Sequence, residues 1–184
     1  MAERVELVLP AVDRPDATTP TPLGRLTVPG QAIPEKTVSV DPDEIARLRD
    51  AARAVAARAH APYSRFHVGA ALIMADDPQR RVIAGANVEN ASYGGTICAE
   101  RTALTQAASL GFRKLELLVV SCVATLEAAV ADRSPCGICR QVIHEFGSRE
   151  PETLVIVDGG GEGALGDVFD LERLLPYGFS LGQG

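Results

Sequence analysis

The run Leu115-Glu116-Leu117-Leu118-Val119-Val120-Ser121-Cys122-Val123 is apolar and branched at nearly every position. A strand with one wet face would alternate, so this run predicts a strand covered on both faces. Its flanks set the fold class. Upstream, Thr96 to Ala108 is alanine-rich and reads as a helix with Thr96 as its cap. Downstream, Ser134-Pro135 opens a helix to about Phe146, Leu154 to Val157 is a further buried strand, and Asp170 to Leu175 is a short helix stopped by Pro176.

Further upstream, Phe66 to Met74 and Val82 to Glu89 read as strands. Asp76-Asp77-Pro78-Gln79-Arg80 between them has turn chemistry, which predicts a hairpin. Organised structure begins at Asp41-Pro42-Asp43-Glu44: a capping aspartate, a proline at the first helical position and a glutamate three residues past the cap. Ile45, Leu48, Ala52, Val55 and Ala59 follow at helical spacing, and the helix must end before Ala61-Pro62. A hairpin followed by alternating helices and strands predicts an α/β fold, a three-layer α/β/α sandwich around a mixed sheet.

Residues 1–41 read differently. They hold six of the twelve prolines, Pro10, Pro15, Pro20, Pro22, Pro29 and Pro34, and no sustained period. Val5 to Leu9 suits a short edge strand, and the remainder reads as extended coil. The expected organisation is a Pro-rich N-terminal arm over 1–41 and one domain over 42–184.

Composition narrows the function. Eighteen Lys and Arg against 24 Asp and Glu give a net charge of −6, which argues against holding long nucleic acid through its phosphates. No apolar run approaches the roughly 20 residues of a membrane span. Glu3, Glu6, Asp13 and Asp16 at the N-terminus do not suit a targeting peptide, so a cytoplasmic location is expected. The glycine run 159–163 lacks the Lys-Ser/Thr of a phosphate cradle and reads as a loop.

The chemistry rests on cysteine. Cys136 and Cys139 lie three apart at a helix start, and Cys98 lies in the first turn of its own predicted helix. Helix N-termini favour thiolate, and thiolate binds metal. Three thiolates with one open position make a catalytic zinc arrangement rather than a closed structural one. Glu100 stands two residues past the first thiol, placed to take and return protons without joining the ligands. Two blander readings compete: a redox pair at Cys136 and Cys139, which leaves Cys98 and Glu100 unexplained, and a four-cysteine structural site using Cys122. Cys122 sits in the apolar strand, where a free cysteine acts as a small hydrophobe. His60, His67 and His144 read as ordinary histidines, His144 being turned away from the cysteine face.

Taken together, Ala61-Pro62-Tyr63-Ser64-Arg65-Phe66, Asn87-Val88-Glu89-Asn90-Ala91-Ser92-Tyr93, Cys98-Ala99-Glu100-Arg101, Ser134-Pro135-Cys136-Gly137-Ile138-Cys139-Arg140-Gln141 and Leu174-Leu175-Pro176-Tyr177-Gly178-Phe179 resemble the cytidine deaminase family. The likeness is to its small homotetrameric branch with three cysteine ligands. It implies one Zn2+ per chain on Cys98, Cys136 and Cys139, and Glu100 as the catalytic proton shuttle. It implies Asn87 and Glu89 on the sugar, Phe66 against the pyrimidine, and Phe179 reaching into a neighbouring subunit's site. Tyr93 and Arg101 are implied as supporting residues, at the subunit contact and near the thiolates. The activity implied is hydrolysis of cytidine and 2′-deoxycytidine to the uracil nucleosides plus ammonia, a pyrimidine-salvage step on a small nucleoside. No membrane or long nucleic acid partner is expected. The stretch Thr125 to Arg133 is longer than that pattern requires.

Overall fold

Asp41 caps the first helix as its sequence requires: Oδ1 accepts from the backbone N–H groups of Asp43 at 3.0 Å and Glu44 at 3.2 Å. In this computed structural model, which describes residues 3–159 and 164–181, that helix is α1, Pro42–Ala56. Part of the glycine run, residues 160–163, and the last three residues of the expected domain lie outside the described residues.

The predicted hairpin is present with trimmed ends, as β7 (Val68–Met74) and β8 (Ile83–Ala86) paired antiparallel. The long apolar run is β9 (Leu115–Cys122), antiparallel to β7, with Ala70 opposite Val120. Next to it β10 (Leu154–Val157) runs parallel, and β11 (Asp167–Asp170), which the sequence reading did not anticipate, closes the edge antiparallel. The order β11-β10-β9-β7-β8 makes one mixed five-stranded sheet.

Side-chain alternation sends the two faces of this sheet into separate cores. Ala71, Ile73, Leu117, Val119 and Ile156 pack with Ile45, Leu48 and Ala52 of α1. Ala70, Leu72, Met74, Leu118, Val120, Val155 and Val157 pack against α2 (Ala99–Ser109), α3 (Gly137–Phe146) and α4 (Leu171–Leu174). The three-layer α/β/α sandwich is therefore as expected. Gly85 of β8 seats α2 closely: a Cβ there would lie 2.5 Å from Ala103 N and 2.9 Å from Ala99 O, so only glycine lets the start of that helix rest on the sheet.

The N-terminal arm corrects the coil expectation. It folds into one nested antiparallel ribbon in three rungs: β1 (Val5–Leu9) on β6 (Lys36–Val40), β2 (Val12–Arg14) on β5 (Gln31–Ile33), and β3 (Ala17–Thr21) on β4 (Gly24–Val28). Five of the six prolines shape the ribbon, and Pro20 lies within β3. Pro10 and Pro34 sit in the gaps between the first and second rungs, Pro15 and Pro29 between the second and third, and Pro22 in the tip. A proline has no N–H for the ladder, so facing prolines interrupt both strands at the same level. Leu9 and Val38 at the ribbon base join the core under α1, while Leu23, Leu26 and Val28 at its tip are exposed.

Candidate metal centre and substrate pocket

Cys98 is itself the N-cap of α2, and Cys136 the N-cap of α3; neither side chain makes a capping hydrogen bond. This corrects the expected cap at Thr96, whose carbonyl instead accepts from Arg101 Nη2 at 2.6 Å. Two caps that do not cap leave both sulfurs free at the positive ends of two helices. Cys139, in the first turn of α3, is fully buried beneath them.

The Sγ atoms of Cys98 and Cys136 lie 3.8 Å apart, and those of Cys136 and Cys139 lie 3.5 Å apart. All three fall within 4.8 Å of one another, the one such group of three metal-binding side chains among the described residues. Tetrahedral bonds of about 2.3 Å from zinc to sulfur require sulfurs about 3.8 Å apart, so the trio matches the edges of a zinc tetrahedron. Hydrogen bonds from the Cys139 and Cys136 thiols, aided by the Arg101 guanidinium, bring Cys98 down to about 5. Cys139 is pushed up, first by its hydrogen bond with Cys98 and then by burial. A thiol lowered in this way gives up its proton to a cation more readily, and thiolate is the form that binds metal.

Glu100 is 3% exposed, and burial, with the Cys98 charge beside it, pushes its carboxyl up to about 7. A carboxyl near neutrality both accepts and donates protons at pH 7. Arg101 Nε is buried with no oxygen or nitrogen partner, and besides the Thr96 carbonyl on Nη2, Cys98 and Cys139 act on this guanidinium.

Cys98, Cys136 and Glu100 share a cavity of about 420 Å³ with Phe66, Asn87, Glu89, Cys122, Asp132, Arg133 and Ser134. Asn87 holds the pocket wall: Oδ1 accepts from Val68 N at 2.8 Å and Nδ2 donates to Phe66 O at 2.9 Å. Each of those atoms keeps one further hydrogen-bonding position. Glu89 accepts from the N–H groups of Tyr63 at 2.9 Å and Ser64 at 3.3 Å; the Ser64 side chain leads, with these N–H groups behind it, in holding the Glu89 carboxyl below the ordinary range. Cys122 lines the cavity without joining the sulfur trio. Burial pushes its thiol up to about 12, and it donates to Arg133 O at 3.4 Å.

Two candidates stand apart. Tyr93 is exposed, its ring centroid 6.0 Å from that of Tyr63, and Phe179 is 66% exposed; neither lines this chain's own cavity. The ring of His144 lies against Gly178, away from the sulfurs.

Arg133 is an anchor that no local sequence pattern marks. Nη1 of Arg133 donates to Val157 O at 3.2 Å and Asp158 O at 2.7 Å, Nε to Ala128 O at 3.1 Å, and Nη2 to the Asp167 carboxylate at 2.6 Å. It fastens the long Thr125 to Arg133 stretch to the end of β10 and the start of β11, just before Ser134-Pro135-Cys136. Arg140 holds the same turn through Pro135 O at 2.8 Å and Ser134 Oγ at 3.0 Å. The length of the stretch was the one visible signal.

Residues 43–155 match the family model described as the cytidine and deoxycytidylate deaminase zinc-binding region. The cytidine deaminase of Halalkalibacterium halodurans is 43% identical over 122 residues, spanning 66% of this chain and 83% of that protein. A probable cytidine deaminase of Dictyostelium discoideum is 44% identical over 110 residues, 59% of this chain and 69% of its own. Among solved structures, cytidine deaminase from Burkholderia pseudomallei superposes with a TM-score of 0.61 at 40% identity, covering 73% of this chain and 98% of that one. The Mycobacterium tuberculosis enzyme gives 0.56 at 35%, over 74% and 97%.

Proposed function

This chain belongs to the cytidine and deoxycytidylate deaminase family, a zinc-binding one, and from that premise we propose that it hydrolyses cytidine, and 2′-deoxycytidine with it, to the uracil nucleoside and ammonia. The observation that carries this reading is the sulfur trio at tetrahedral spacing beside a buried carboxyl that titrates near neutrality. Cys98, Cys136 and Cys139 hold the zinc, which supplies the Lewis acidity that makes water a nucleophile at neutral pH. Glu100 takes a proton from the attacking water and delivers it to N3 as C4 becomes tetrahedral. Glu100 then takes the remaining hydroxyl proton and passes it to the exocyclic amine, which departs as ammonia. Each proton that the water loses is thereby placed on the products.

In this reading Phe66 packs on the pyrimidine, while Asn87 and Glu89 use their spare positions on the sugar hydroxyls. Phe179, exposed and outside its own cavity, completes the pocket of a neighbouring subunit in a homotetramer with shared sites, and Tyr93 lies at the subunit contact. The compartment is cytoplasmic and the role is pyrimidine salvage.

A free nucleoside suits the cavity better than a nucleotide. Its lining carries the carboxylates of Glu89, Glu100 and Asp132, and its one cation among the described residues, Arg133, is engaged by three carbonyls and Asp167. A phosphate there would meet negative charge without a free partner. The test is zinc analysis combined with turnover of cytidine, deoxycytidine and deoxycytidylate, followed by ultraviolet absorbance. Both nucleosides should turn over and the nucleotide should not. Bound zinc without ammonia release would overturn the assignment.

A further inference from the structure

The ribbon precedes the family match, and the proposed chemistry leaves it without a task. Its two proline joints, however, are both fastened to the C-terminal segment. At the first joint, where the ladder breaks, one side chain collects three carbonyls. Arg173 of α4 donates through Nη2 to Pro10 O at 2.6 Å, Pro34 O at 3.1 Å and Leu9 O at 3.3 Å. Its Nη1 is held by Asp170, which also caps α4 through Arg173 N at 2.8 Å. Beside it, Lys36 of β6 reaches Glu152 at 3.1 Å, Asp170 at 3.4 Å and Glu172 at 3.7 Å. At the second joint the Tyr177 hydroxyl donates to Gly30 O. A cavity of about 420 Å³ lies between ribbon and segment, with Ile33, Lys36, Leu175 and Tyr177 on its walls.

The segment so held has little to hold itself. It leaves helix at Leu174, and Tyr177 sits at φ 60°, a left-handed conformation that costs a residue with a Cβ. Two residues on, Phe179 O accepts from Gln141 Nε2 at 2.7 Å while the ring projects outward. The ribbon thus grips one side of the stretch from 173 to 177, and α3 holds its far end.

We propose that the N-terminal ribbon is a brace for the C-terminal segment, with Arg173 and Tyr177 as positioning residues that set where Phe179 meets substrate. This rests on the reading of Phe179 as a substrate contact. The brace predicts an effect on binding, because Phe179 lies apart from the sulfurs and Glu100.

The test uses the full-length, zinc-loaded enzyme. Phe179→Ala gives the reference rise in KM for cytidine. Tyr177→Phe, which removes one oxygen, should raise KM about fivefold with kcat within about twofold, the scale of one lost hydrogen bond. Arg173→Met should do the same, and Arg173→Lys should recover part of it, with zinc content unchanged throughout. The chain has no tryptophan, so Phe179→Trp supplies a single indole, excited selectively over the three tyrosines, whose anisotropy should fall when Tyr177→Phe is added. If Phe179→Ala raises KM while Tyr177→Phe and Arg173→Met leave it at the wild-type value, the brace is refuted and the aromatic contact stands. If Phe179→Ala leaves KM unaltered, the contact reading fails, and the anisotropy alone decides for or against the brace.

Discussion

The sandwich and the ribbon are built on opposite terms. In the sandwich a strand such as β9 is buried on both faces, and its register is fixed because a one-residue slip would turn every side chain to the wrong core. In the ribbon β4 is exposed along its whole length, and proline-marked gaps, rather than a core, decide where each rung begins and ends. A catalytic site needs atoms held to a fraction of an ångström, and both helix starts that carry sulfur rest on the sandwich. The ribbon contributes through where it is tied.

Changes at the sandwich should therefore be costly and those at the ribbon tip should not. The largest effect is expected at Glu100. Glu100→Ala should keep its zinc while kcat falls by about 10²–10⁴-fold, the range for a lost proton shuttle; comparable turnover with full metal would remove Glu100 from the mechanism. Next comes Ile156, fully buried between sheet and α1. Ile156→Ala should lower unfolding free energy by about 2–5 kcal/mol in denaturant titration. A loss well under 1 kcal/mol would mean that this face is not tightly packed.

Arg101→Gln removes the guanidinium from Cys98 and Cys139, and turnover should drop about tenfold with zinc retained. Unchanged turnover would show that the helix ends suffice. A smaller effect is expected at Asp77, in the turn between β7 and β8. Hydrogen bonds led by Arg81 hold its carboxyl at about 2 against an ordinary 3.8. The folded chain therefore binds fewer protons than the unfolded one between those values. This carboxylate stabilises the fold above about pH 4 and ceases to do so as pH falls through about 2. Asp77→Asn lacks that contribution at every pH, so its stability deficit should narrow on acidification; a constant deficit from pH 7 to 2 would contradict the account. The smallest effect belongs to the tip: Leu26→Ser should change stability by no more than about 0.5 kcal/mol. A larger loss, or a change in oligomeric size, would show that the tip is covered in solution.

The same contrast explains what could be read from residues alone. Asp41-Pro42, the apolar β9 and the turn at Asp76 to Arg80 are local signals, and each produced the element it implied. The sulfur trio was legible because helix starts are local too, and two such starts brought by the sheet to one end suffice to gather it. The ribbon was not, because proline spacing resembles coil until the two strands are laid side by side and the gaps are seen to face each other. Nor was β11, whose Asp-Val-Phe-Asp carries acid at both ends and becomes a strand only by pairing with β10. The clamp at Arg133 is still further from local reading, since its partners Val157, Asp158 and Asp167 lie on other elements.

The proline joints also protect the chain from its neighbours. A two-stranded ribbon standing out from a globular body offers two open edges, the kind of template on which foreign chains polymerise into fibrils. Here each edge is cut into pieces of three to five residues. An incoming chain would lose its hydrogen-bonding partners after every piece, so the imino acids that shape the ribbon also guard the protein against amyloid-like growth.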